Sequence, residues 1–130
     1  MKKMNFKKGF TLIELLVVVA IIGILANIRV QAELIYDNNT PNSYANMCTD
    51  TVVANQTQAA ANALGGTVVN TLATAGTATT VVCHLKADNA AWAVGSGTKV
   101  TPANSWCVDS TGTSKQLTNA YLAGNATVCP

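Results

Sequence analysis

The stretch "KKGFTLIELLVVVAIIGILAN", Lys7 to Asn27, decides how the whole chain is read. From Phe10 onward it is almost entirely hydrocarbon, yet it carries one carboxylate, Glu14. The run from Phe10 to Ala26, taken as a helix at about 1.5 Å per residue, is roughly 26 Å long. Adding Asn27 and Ile28 brings it close to the ~30 Å of bilayer hydrocarbon. Lys2, Lys3, Lys7 and Lys8 precede it. Basic flanks stay on the cytoplasmic side, so the spacing predicts a membrane segment with everything after Ile28 outside.

Three fates compete for this segment. A secretory signal peptide could be cut after Val30-Gln31-Ala32, but such peptides have shorter apolar cores and no acid within them. A plain single-span anchor fits the length and the lysines, and leaves Glu14 unexplained, since an acid inside a span costs about 2.5 kcal/mol or more. A cut between Gly9 and Phe10 accounts for the acid. Phe10 then carries a new α-amino group, and such groups are cations below about pH 8. Glu14 lies four residues on, nearly one helical turn along the same face. The two charges can neutralise each other, within one subunit or between neighbours whose stagger they would set. The carboxylate also sits in the first turns, where the helix dipole favours negative charge.

These residues resemble the class III signal of type IV pilins and of type II secretion pseudopilins: a short basic leader ending in Gly, then Phe-Thr-Leu-Ile-Glu-Leu, then a hydrophobic helix. The resemblance covers about the first 26 residues. It implies a leader over 1–9 and a prepilin peptidase that cuts after Gly9 and methylates the amine of Phe10. It implies that Phe10 and Glu14 serve assembly, and that the partners are other copies of the chain or related pilins. The subunit would wait in the inner membrane as a single-pass precursor and end in an extracellular pilus or an envelope-spanning pseudopilus. The expected role is structural, a filament subunit and not an enzyme. The alternatives are a minor pilin with an adhesive or DNA-uptake head and a secretion pseudopilin.

Beyond Gly9, four basic residues (Arg29, Lys86, Lys99, Lys115) face six acids (Glu14, Glu33, Asp37, Asp50, Asp88, Asp109), a balance of −2. No basic patch of the kind that holds a nucleic acid is present. The helix is expected over 10–37, because Ile28, Ala32 and Ile35 continue one stripe until "DNNTPN" (Asp37–Asn42) stops it. This is shorter than pilin helices usually run beyond the membrane. The remainder, 38–130, reads as one globular head. "DTVVANQTQAAANALGG" (Asp50–Gly66) predicts a second helix with Thr49 or Asp50 as N-cap and a glycine pair at its end. "TLATAGTATT" reads as loop. In "TTVVCHLK", Val81, Cys83 and Leu85 take one face, and Val82, His84 and Lys86 the other, solvent-facing one. "AAWAVGSG" ends in a glycine turn, and "SWCVDSTGTSKQL" folds back at Asp109–Gly112. The class is α+β: a long N-terminal hydrophobic helix, then a small head with a short helix and three or four antiparallel strands packed on a helix by one face.

Cys48, Cys83, Cys107 and Cys129 all follow the membrane segment, which favours two disulfides in an oxidising compartment. Three pairings are possible, and Cys48–Cys83 with Cys107–Cys129 is favoured. The first ties the segment after the stalk to the first strand, and the second fastens the C-terminal tail. "WCVDSTG" with the later Cys-Pro also resembles heads of bacterial pilin-like proteins. A zinc site from these cysteines and His84 lacks any Cys-x-x-Cys pair. His84, beside Lys86, reads as a surface residue with no nucleophile motif near it. Asp50, Asp88 and Asp109 have no EF-hand spacing and read as cap or turn residues. The sequons at Asn38, Asn55 and Asn125 mark surface polarity. No cofactor and no catalytic residue is expected.

Overall fold

The computed structural model describes residues 12–98 and 104–130. The expected leader and the Gly9–Phe10 bond lie outside the described residues. The elements in chain order are helix α1 (Leu12–Asn38), helix α2 (Thr51–Leu64), and strands β1 (Thr67–Val69), β2 (Thr80–Leu85), β3 (Trp92–Gly97), β4 (Ser105–Asp109) and β5 (Ser114–Leu117).

α1 runs ten residues past the apolar run and ends at Asn38, in the "DNNTPN" turn sequence. The side-chain amide of Asn39 donates to the carbonyls of Ser43 (2.9 Å) and Ala45 (3.4 Å), which turns the chain back. α2 starts at Asp50, whose carboxylate accepts from the backbone N–H of Val52 and Val53. These bonds satisfy two of the donors that a helix start leaves open. At the other end Gly65 is left-handed (φ 79°), and the N–H of Gly66 returns to the Ala61 carbonyl. A residue without Cβ takes that conformation at no steric cost.

The strands lie in the order β1-β2-β3-β4-β5. β1 is parallel to β2, and the other three pairings are antiparallel. The five strands exceed the three or four expected, because β1 has only three residues and shows no alternation to read. The glycine turn expected in "AAWAVGSG" is instead strand: Gly95 and Gly97 pair with Cys107 and Ser105. A Cβ on Gly97 would collide with the Ala78 carbonyl, and one on Gly95 would press on Leu122. Here glycine makes room for neighbouring chain and does not turn it.

One sheet face, carrying Val81, Cys83, Trp92, Val94 and Val108, packs on α1 and α2. The opposite face carries Val82, Ala93, Cys107 and Leu117, and is covered by Leu122 and Cys129 from the C-terminal segment. The solvent-facing second side expected from the sequence is therefore corrected, and His84 with it. His84 is fully buried. Its Nδ1 lies 2.7 Å from the carbonyl oxygen of Ala126, and its Nε2 lies 2.7 Å from that of Thr74. The covering segments have no strand or helix periodicity, so nothing in them announces that they lie on a sheet.

Both favoured disulfides, Cys48–Cys83 and Cys107–Cys129, are formed. They span 35 and 22 residues. Chain entropy gives loops of that length about 3–4 kcal/mol each. All four sulfurs are thereby bonded, and none is a thiolate for a metal. The second disulfide is supported by Asp109. This buried carboxylate accepts from the Thr111 N–H (2.9 Å), the Thr111 hydroxyl (2.6 Å), the Thr113 N–H (3.2 Å) and the Cys129 N–H (2.7 Å). Burial pushes its pKa up, and the bonds from Thr111, Cys129 and Thr113 outweigh that, so the net is below the usual carboxylate value.

Replacing Asp109 with Ala strands these donors, and the expected loss is about 3 kcal/mol. The pH sign follows from the depressed value. The stabilisation by the ionised carboxylate is complete above the unfolded value of about 4 and is lost as pH falls through the folded one. Thermal melts of wild type and Asp109→Asn should therefore differ by a constant amount from pH 5 to 7 and converge in acid. A gap that widens in acid refutes this account.

Candidate assembly site

At about 100° per residue, Glu14, Ile21, Leu25 and Ala32 fall within ~20° of one line along α1. Ile21, Leu25, Ile28 and Ala32 are fully buried in the core shared with α2 and the sheet. Val17, Ile24, Ile35 and Tyr36 pack beside them. Glu14 continues this head-facing line one step towards the N-terminus, in the first described turn, and is half-buried.

The reverse side is open. Leu12 and Ile13 are each 70% exposed, Leu16 59% and Val19 60%. Val30 and Leu34 extend the open side past the apolar run. They share a surface hollow with Ala26, Arg29, Glu33 and Asp37. Glu14 apart, α1 is thus apolar all round over its first half, with one stripe committed to the head and the reverse side open. By length and composition it is long and apolar enough to cross a membrane, with a mean hydropathy of 2.4 over its most apolar 18 residues.

Polar struts lock the outer half of α1 to the head. The Gln31 amide donates to the Asp50 carboxylate at 3.3 Å. The Tyr44 hydroxyl donates to the Glu33 carboxylate at 2.9 Å. The Tyr44 ring lies 4.8 Å from that of Tyr36 and meets Trp92 edge-on at 6.3 Å. Such offset aromatic pairs add about 0.5–1.5 kcal/mol each. Sequence reading missed Glu33 and Tyr44, because partners on opposite sides of a turn show no shared spacing. Burial pushes the Tyr44 phenol up to about 12, helped by the Glu33 hydrogen bond, the Glu33 charge and Tyr36, with the Trp92 indole opposing.

The residues expected to act together are only partly within view. Gly9 and Phe10 lie outside the described residues, while Glu14 is placed on the head-facing stripe. Asp50 caps α2, and Asp88 holds the Ala90 N–H at 3.0 Å with Lys86 3.5 Å away. The Ala90 bond, opposed by slight desolvation and aided by Lys86, lowers the Asp88 pKa.

The strut yields a spectroscopic expectation. In an alkaline titration followed at 295 nm, Tyr44→Phe should remove the phenol that ionises near pH 12. Glu33→Gln should move that component down towards the ordinary value of about 10, since it removes the opposing charge. An unchanged profile in Glu33→Gln would show that the strut is not formed.

Residues 4–26 match the family model described as the prokaryotic N-terminal methylation motif. No solved structure gives a significant match to the chain. The motif, an apolar membrane-capable helix and a disulfide-tied α+β head together support a protein of the type IV pilin or pseudopilin type. Over residues 4–26 the chain carries the class III signal peptide that is the hallmark of type IV pilin precursors.

Proposed function

We propose that this chain is the structural subunit of a type IV pilus-like filament. The observation that supports it most is that the methylation motif takes in the first half of α1, whose back face is open and apolar. Prepilin peptidase cuts between Gly9 and Phe10 and methylates the new amine. α1 holds the precursor in the inner membrane. On assembly, Leu12, Ile13, Leu16 and Val19 exchange lipid for the helices of neighbouring subunits, which are equally apolar. Association there draws on close packing and on charge pairing, since hydrocarbon supplies no hydrophobic drive. Glu14 and the Phe10 amine provide that pairing. The head coats the outside, and its disulfides keep a domain of about 90 residues folded beyond the envelope.

Intact-mass analysis of the mature protein should give a chain beginning at N-methyl-Phe10. A chain beginning at Met1 or at Glu33 sinks the proposal. Glu14→Ala should be processed at the normal rate and fail to enter filaments, because an uncompensated amine then lies in the apolar bundle. Normal filaments from Glu14→Ala would remove the pairing role and leave the anchor intact.

A further inference from the structure

Taking α1 as the membrane anchor, one segment of it has two claimants. Val17, Ile21, Ile24, Leu25 and Ile28 pack into the core shared with the head. The same residues form the outer part of the apolar run that has to fill the bilayer. Before Val17 the described helix offers only the five residues Leu12 to Leu16, of which Leu12, Ile13, Leu15 and Leu16 are exposed. At about 1.5 Å per residue, those five residues make roughly 8 Å of helix. The hydrocarbon layer is ~30 Å. With the head docked, α1 can span only by carrying the head into lipid.

The part carried in would include α2. It begins at the Asp50 cap beside Gln31 and packs lengthwise on α1. Only seven residues of α1 lie beyond Gln31, so α2 has to run back towards the N-terminus of α1. Its outer face exposes Asn55, Gln58 and Asn62. Sinking carboxamides into hydrocarbon is costly, as each loses its water. The helix side of the interface loses little on undocking, because lipid tails are as apolar as the core that they replace. The cost of undocking falls on the head, whose Val81, Trp92, Val94 and Val108 lose the cover of α1. No covalent tie resists it, since both disulfides lie within the head.

We propose that the head and the bilayer are alternative occupants of the Val17–Ile28 stripe. In the membrane-held precursor the head is swung away from this stretch, pivoting near the Gln31–Asp50 and Glu33–Tyr44 struts. The docked arrangement forms when the helix leaves lipid, so extraction closes the head onto its own stalk.

The full chain in phosphatidylcholine vesicles tests this. Gly23→Cys carrying an NBD fluorophore reports the helix, because Gly23 faces open space. The chain's only tryptophans, Trp92 and Trp106, report the α1-facing side of the head. The expected result is blue-shifted NBD emission, with tryptophan emission shifted to the red, quenched by iodide and spared by brominated lipid. Blue tryptophan emission quenched by brominated lipid means a docked head inside the bilayer and overturns the proposal. Blue emission that neither reagent quenches, with NBD in lipid, means a docked head outside it and overturns the proposal equally. An NBD probe in water sinks the anchor reading itself, and the proposal with it.

Discussion

Ile21, Leu25, Ile28 and Ala32 lose all contact with solvent to the head, and the sheet's inner face depends on that cover. α2 is too narrow to shield it alone. Its buried side offers Val53, Ala60, Ala61 and Leu64, mostly small. Burying a Leu or Ile side chain stabilises by about 1.5–3 kcal/mol. The three large α1 residues therefore contribute on the scale of a small domain's whole net stability. The helix proposed as the membrane anchor is also a structural layer of the head.

The far side of the sheet is held by different means. Irregular chain cannot offer a periodic apolar face, so polar anchors fix it at points. Asp109 draws in the Cys129 N–H beside the Cys107–Cys129 bond. His84 meets Thr74 and Ala126 carbonyls from two separate segments. Gly97 lets the Ala78 carbonyl lie against the strand. Buried polar groups are expensive unless satisfied, and when satisfied they fix one arrangement of the chain. A small core thus gains a second covered face with few apolar residues.

This division explains what the sequence disclosed. The α1 run, the Asp50 cap, the glycine end of α2, the alternation in "TTVVCHLK" and the Asp109–Gly112 turn are local signals, and each appears where it was expected. The expected end of α1 at Asp37 differs by one residue from the observed Asn38. What stayed hidden is tertiary. β1 is too short to alternate, and the partners of His84 lie 10 and 42 residues away. The head-facing stripe of α1 was legible only at Ile28, Ala32 and Ile35. Towards the N-terminus every position is apolar, so no contrast marks the side that the head takes. The glycines of β3 misled because a strand can use glycine for the space it leaves as well as for its flexibility.

The line joining Glu14 to Ile21, Leu25 and Ala32 also constrains the proposed filament. The head fixes the rotation of α1 about its own axis, because one stripe is pinned to the sheet. In a filament with heads outside, that stripe faces outward, and so does Glu14. Leu12, Leu16 and Val19, on the reverse side, then face the filament axis. Charge is costly in an apolar interior even when paired. In the proposed filament this geometry would place a Glu14–amine pair in an outer shell of the helix bundle, under the heads, and leave the axis to hydrocarbon. A neighbour's Phe10 amine has to come to that level, just below the turn at Val17 where the head's cover begins. In such a filament the short stalk and the position of the acid would act as one constraint, because the head's packing on α1 begins at Val17, about one turn beyond Glu14.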